Sequence, residues 1–135
     1  SVAPIVHDHY GWPEAPRFAF QPVAGSPLIE LPVTTARLAG RTLAAGGGGF
    51  FRLLPYSFSR WAIRQANAAT QPAIIYFHPW EIDPGQPRMT KAPMRSRLRH
   101  YSNLSGMAAK LKRLMGEFEW GRVDAIAADV RKTLA

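Results

Sequence analysis

Pro13, Pro16, Pro22, Pro27 and Pro32, followed by the run Gly46-Gly47-Gly48-Gly49, rule a long continuous helix out of the first third of this 135-residue chain. Each proline fixes φ near −65° and biases the residue before it towards extended backbone. Residues 1–49 are therefore expected to be extended segments joined by turns, with Leu28–Val33 the best strand candidate and Pro32 marking it as an edge. The glycine run allows a hinge or a close backbone approach. It is not a phosphate-cradling loop, because Phe50-Phe51-Arg52 stands where a Lys-Ser/Thr pair would be needed.

Beyond the glycines the pattern changes. Phe58, Trp61, Ala62, Ala66 and Ala69 recur at helical spacing and predict an amphipathic helix over 56–69. Ala73-Ile74-Ile75-Tyr76-Phe77 is a short unbroken apolar run, the pattern of a strand buried on both faces of a mostly parallel sheet. Leu104, Met107, Ala108, Leu111, Leu114, Met115 and Phe118 form a clean 3.6-residue stripe, with Ser102 or Asn103 as the N-cap. Phe118-Glu119-Trp120 reads as a brief strand, and Val123, Ile126, Ala127, Val130 and Leu134 define a closing amphipathic helix. Helix, buried strand, loop, helix, short strand, helix is the order of an α/β architecture.

At 47% apolar the composition supports a packed core, and the length suits one domain. No apolar run reaches the roughly 18 residues of a membrane span, and no charged-then-apolar leader opens the chain. The absence of cysteine removes disulfides, thiolate zinc sites and cysteine nucleophiles. The formal charge of +8 is confined to one stretch: Arg88, Lys91, Arg95, Arg97, Arg99, Lys110, Lys112 and Arg113 lie between Pro84 and Gly116 with no acid among them. Elsewhere acids and bases balance. Such a block is either an electrostatic footprint for a polyanion or a solvated face. If Met94–Tyr101 is extended, Arg95, Arg97 and Arg99 share one face.

Four histidines could carry chemistry. His7-Asp8-His9 offers two metal ligands at strand spacing, but two ligands do not make a site and the segment reads equally as a polar loop. His100 lies among arginines and suggests no more than a surface or phosphate contact. His78 stands directly after the predicted buried strand, the rim where parallel α/β folds place their reactive groups. Trp80 and Glu81 follow at once, so a carboxylate is available to orient a general acid or base. The alternative is a structural histidine beside a core-filling Trp80. No Gly-x-Ser-x-Gly elbow is present.

Several strings taken together carry a family resemblance. They are His7-Asp8-His9-Tyr10-Gly11 with Pro13 to Phe18, Gly46 to Tyr56, Tyr76-Phe77-His78-Pro79-Trp80-Glu81-Ile82-Asp83-Pro84, and Arg99-His100-Tyr101. In combination they resemble the C-terminal region of the NodB-like polysaccharide deacetylases found with bacterial exosortase and exopolysaccharide systems, including an uncharacterised C-terminal domain. The resemblance covers nearly the whole chain.

It implies the C-terminal part of a distorted (β/α) barrel, with residues 1–49 as a Pro/Gly-rich extended insertion and 50–135 as the barrel segment, both belonging to one larger catalytic domain. It implies a bacterial protein, cytoplasmic or associated with the cell envelope, in which a divalent metal, usually zinc, activates water against an N-acetyl group of an exopolysaccharide. The family's late Leu-x-His motif, whose histidine protonates the leaving amine, maps onto Tyr76-Phe77-His78, with Tyr76 in the leucine's place. The metal-binding aspartate and the His-x-x-x-His motif have no counterpart in this sequence, so the chain is expected to hold no metal and to be inactive alone.

On this reading the catalytic residue is His78. Tyr76, Trp80 and Glu81 contact substrate, Trp12, Trp80 and Tyr76 can stack on sugar rings, and Arg95, Arg97 and Arg99 meet an acidic polymer. Core packing and solvated charge are the alternatives. The expected partners are the polysaccharide and the missing N-terminal part of the catalytic domain. The competing functional classes are a small basic module for a polyanion, with nucleic acid disfavoured by the lack of any recognised motif, and an accessory domain of a polymer-export assembly.

Overall fold

A computed structural model of the chain describes residues 2–6 and 11–134. The metal reading of His7-Asp8-His9 lies outside the described residues. Strands β1 (Thr35–Leu38) and β2 (Arg41–Ala44) form an antiparallel hairpin, followed by helices α1 (Gly48–Leu53) and α2 (Tyr56–Ala68). A 3-10 turn over Pro79–Ile82 precedes α3 (Met94–Tyr101), α4 (Leu104–Glu117) and α5 (Val123–Leu134). No described helix is long and apolar enough to cross a membrane.

The hairpin turns on Ala39 and Gly40, both at positive φ (48° and 77°), as a tight two-residue loop that matches the twist of its strands requires. Sequence patterning shows little of it, because its buried contacts are small: Ala36 and Ala45 pack against Ala62 of α2, with Phe58 and Trp61 beside them. Polar bonds hold the seam. Arg17 donates to the Thr35 carbonyl at 2.7 Å and to Gln65 Oε1 at 2.6 Å. Gln65 also accepts from the Arg37 N–H at 2.7 Å and donates to the Arg37 carbonyl at 3.0 Å, so an α2 side chain pairs with β1 much as a strand would.

The next residue of α2, Ile63, faces a second core with Phe51, Met107 and Leu114, bordered by Tyr56, Ala73, Ile75, Phe77, Leu111 and Phe118. This stripe confirms the helix expected over 104–118, although Met115 is 52% exposed and takes no part in the core. Asn103 occupies the N-cap position in left-handed backbone, which asparagine tolerates. Its side chain does not cap α4 but donates to the Arg52 carbonyl at 2.7 Å. Lys110 donates to the carbonyls of Phe51 and Leu54, both at 2.7 Å. Asn103 and Lys110 thus satisfy open carbonyls at the C-terminal end of α1, a helix too short to stand by itself.

Three expected strands are corrected. Ala73–Phe77 is extended but only partly buried, and its one ladder contact is a parallel bridge between Tyr76 and Gly47. It is seated by the Thr34 hydroxyl, which accepts from the Ile74 N–H at 2.6 Å, and by the Gly46 carbonyl, which accepts from the Tyr76 N–H at 3.0 Å. Leu28–Val33 makes a single bridge, Glu30 to Phe20, and Phe118–Trp120 forms no strand. Met94–Tyr101 is helical, so at 100° per residue Arg95 and Arg99 share a face while Arg97 points away from it. Of the two readings of the glycine run, close approach is the one seen at Gly46, where a Cβ would come within 2.5 Å of the Ile74 carbonyl oxygen and 2.8 Å of the Thr34 nitrogen.

Glu117, at the end of α4, joins that helix to α2. The Tyr56 hydroxyl donates to it at 2.7 Å, Arg60 pairs with its other oxygen, and Arg64 lies at 3.5 Å. The Tyr56 hydrogen bond, with the charge of Arg60 and Arg64, holds this carboxyl below its usual value of 4.5. A carboxyl depressed in the folded state stabilises the fold above the unfolded value and loses that contribution as pH falls through the folded one. Glu117→Gln should therefore melt below the wild type at neutral pH, with the gap closing as the pH falls through and below the carboxylate range. A gap independent of pH would refute the linkage.

Candidate functional site

Pro79 ends the extended segment and opens the 3-10 turn, and this turn brings His78 and Glu81 together. Glu81 is 1% exposed. Its Oε2 accepts the His78 backbone N–H at 2.9 Å and lies 3.3 Å from His78 Nδ1. A buried carboxylate facing Nδ1 favours the tautomer with its proton there, which leaves Nε2 as the reactive atom. The His78 side chain is about half exposed, so that atom is accessible.

The carboxylate fits because of a glycine. A Cβ at Gly48, the first residue of α1, would meet the Glu81 carboxyl group, with Cδ at 2.6 Å. Gly48 therefore admits Glu81 to the start of α1, and the buried Arg52 from the end of the same helix contributes a favourable charge. Burial lowers the Arg52 pKa and the Glu81 charge raises it. Its guanidinium donates to the His100 carbonyl at 2.8 Å and the Arg99 carbonyl at 2.7 Å, which ties the end of α3 to α1.

A line of rings continues from His78. Tyr76 meets its ring edge-on at 5.6 Å, and Trp80 stacks on it at 5.7 Å with 21° between planes. Trp80 stacks more closely on His100, at 4.0 Å and 15°, while the Arg52 guanidinium lies 5.2 Å from the Trp80 ring. His100 Nε2 lies 2.9 Å from Gln86 Oε1, and Gln86 donates to the Trp80 carbonyl at 2.8 Å. Such stacks and cation–π contacts are each worth about 0.5–2 kcal/mol. Together they fix the loop that carries His78 against α3.

Of the residues singled out in the sequence, Tyr76, His78, Trp80 and Glu81 come together. Glu81 is buried and can reach a substrate only through His78. Trp80 is engaged with His100, His78 and Arg52, which limits its freedom to stack on a sugar. Arg95, Arg97 and Arg99 are exposed on α3, the helix behind the stack, and the histidine read as a surface contact, His100, is a central member of that stack. Sequence reasoning missed Gly48 and Arg52, whose partners come from distant segments, and Gln86, which bonds to Trp80 and His100 six and 14 residues away; the glycine run was the one signal that something approached closely. Tyr76 and Gly47 also line a cleft of about 570 Å³ with Trp12, Thr34, Phe50 and Ile74, a volume suited to a small ligand.

The donors do not fit a metal. Among the described residues no three His, Asp or Glu side chains converge, and the Glu81 carboxylate is already shared between the backbone and ring of His78. A catalytic zinc needs three protein ligands and an open position.

One family model, described as a domain of unknown function (DUF3473), matches residues 1–128. No curated protein and no solved structure matches the chain.

Proposed function

The chain belongs to the DUF3473 family, and from that membership and the site geometry we propose that it is the C-terminal portion of a metal-dependent carbohydrate N-deacetylase acting on bacterial exopolysaccharide. It contributes the general acid, His78, to a distorted (β/α) barrel whose metal ligands come from another part of the protein. The observation that carries this reading is the Glu81 carboxylate, buried and bonded to both the backbone and the ring of His78, with Nε2 left accessible. A histidine held in one tautomer by a buried carboxylate, with its other nitrogen free, is a proton-transfer group.

The chemistry asked of it is limited. When the tetrahedral adduct of an amide collapses, the C–N bond breaks and the nitrogen departs as an amine. Expelling an unprotonated amide anion is prohibitive, so a proton must reach that nitrogen as the bond breaks. Protonated on both nitrogens, His78 delivers it from Nε2–H and returns to the Nδ1–H tautomer, while the Glu81 carboxylate bonded at Nδ1–H offsets the imidazolium charge before transfer. Tyr76 meets the His78 ring and also lines the cleft, so it is the residue that links the cleft to the acid. Trp12, about half exposed in the same cleft, offers a flat apolar face to a pyranose ring. No step is assigned to the metal, since the residues described here do not hold one.

The test is an assay of the longer protein that contains this chain. Supplied with a divalent metal and an N-acetylated oligosaccharide, it should release acetate and free amine in equal amounts. Failure to release acetate from N-acetylated oligosaccharides and polymers by the folded, metal-supplied protein would refute the reading.

A further inference from the structure

Helix α3 has no buried residue. A helix normally holds its place through an apolar face, yet this one leaves its apolar residues in water, with Met94 75% and Leu98 62% exposed. Its anchors are polar and aromatic: Arg52 on its last carbonyls, the His100–Trp80 stack, and the Tyr101 hydroxyl accepting the Met89 N–H at 2.8 Å. Met94 and Leu98 are four residues apart and share a face, and Arg95 and Arg99, also four apart, lie on the adjoining one. Met89, 70% exposed, and the basic residues Arg88 and Lys91 precede them on the incoming loop. No Asp or Glu occurs between Asp83 and Glu117, and no described carboxylate pairs with these four cations.

We propose that this surface, α3 with the loop before it, lies on an anionic phospholipid bilayer. A purely electrostatic partner such as an acidic polysaccharide would satisfy the guanidinium groups and leave Met89, Met94 and Leu98 in water. A bilayer takes both: arginines sit at the phosphates while the methionine and leucine side chains enter the headgroup–acyl boundary, the depth an interfacial helix reaches. Arg52 and Trp80 hold α3 through its last carbonyls and through His100, on the opposite side of the helix from Leu98, and Tyr101 binds only the loop that belongs to the same surface, so docking does not require the fold to open. Since Trp80 stacks on both His100 and His78, the membrane-facing helix is two ring contacts from the candidate site. The proposal does not depend on the deacetylase reading.

The experiment is vesicle co-sedimentation of the 135-residue chain, using phosphatidylcholine vesicles with and without phosphatidylglycerol. Binding is expected only with phosphatidylglycerol, and should weaken steeply between about 0.05 and 0.5 M salt as screening shortens. The variant Met94→Ser/Leu98→Ser keeps every charge and should lose about tenfold or more in partitioning, from the apolar area it no longer buries. Arg95→Glu/Arg99→Glu should abolish binding. All four side chains are exposed, so melting temperatures should stay near that of the wild type. Leu98→Trp supplies an independent reading: its emission should shift to the blue on phosphatidylglycerol vesicles. Absence of binding, or binding that Met94→Ser/Leu98→Ser leaves unchanged, overturns the proposal. Retention of that variant on an acidic polysaccharide at wild-type strength, together with unchanged vesicle binding, would mark the surface as a polymer site instead.

Discussion

Replacing His78 with alanine in the full-length protein is expected to lower turnover on an N-acetylated polymer by about 10²- to 10⁴-fold, the usual contribution of a positioned general acid. Polymer affinity should change little, because the imidazole is asked to act as the C–N bond breaks rather than when the substrate is bound. The structure makes this a clean deletion. The His78 ring is half exposed, whereas its backbone N–H, which alanine retains, is the group bonded to Glu81 at 2.9 Å. The buried carboxylate therefore keeps one partner, and the 3-10 turn should persist. Glu81→Gln probes the same site from behind: an amide cannot offset an imidazolium, and its NH₂ group can turn towards Nδ1 and invert the tautomer. Turnover should then fall between wild type and His78→Ala, with polymer binding again retained. Rates measured under single-turnover conditions decide the matter, since they isolate bond breaking from product release. Unchanged turnover in His78→Ala would remove the acid assignment, and loss of polymer binding without loss of turnover at saturation would recast His78 as a binding residue.

What could be read from the sequence follows the distance over which each feature is determined. The helices α2, α4 and α5 were legible because large apolar residues recur along them at the helical period. The hairpin was not, since its buried contacts are the methyl groups of Ala36, Ala45 and Ala62, which carry almost no hydropathy signal. Helix α3 was misjudged for a related reason. The string Met94-Arg95-Ser96-Arg97-Leu98-Arg99-His100-Tyr101 has three basic residues and only a short apolar face, left exposed at Met94 and Leu98, and its position depends on Arg52 and Trp80, more than ten residues away in sequence. Ala73–Phe77 has the composition of a doubly covered strand, but composition cannot say whether neighbours occupy both edges, and here Thr34, Gly46 and Gly47 pair with one.

The candidate site divides in the same way. Tyr76, His78, Trp80 and Glu81 fall within six residues, so one turn brings them together and local reading suffices. The glycine that admits Glu81, the arginine behind Trp80 and the histidine stacked on it arrive from α1 and α3. Their roles are tertiary facts. The glycine run illustrates the ambiguity well, because flexibility and close approach demand the same residue.

That ambiguity can be settled by adding one methyl group at two adjacent positions. Gly48→Ala is expected to destabilise the fold by about 1–3 kcal/mol, the cost of overpacking a filled interior. In a domain of this size that corresponds to a fall in melting temperature of roughly 2–24 °C, at about 2–8 °C per kcal/mol. The neighbour that must yield is the Glu81 carboxyl group, whose Cδ would lie 2.6 Å from the new Cβ and whose side chain is bonded to His78. It has little room to retreat, since Glu81 is 1% exposed and Arg52 behind it is committed to the Arg99 and His100 carbonyls. Gly49→Ala is the control. A Cβ there meets nothing within 4 Å, and the residue is helical, so alanine should be neutral or stabilise by up to about 1 kcal/mol through helix propensity. A flexible hinge would respond to the two substitutions alike; a packed approach responds to the first alone. Turnover adds a second discriminant, because displacing Glu81 also frees the His78 ring: Gly48→Ala should lose activity in parallel with Glu81→Gln, while Gly49→Ala keeps the wild-type rate. Equal melting temperatures for the two variants would refute the packing role of Gly48 and return the glycine run to a hinge.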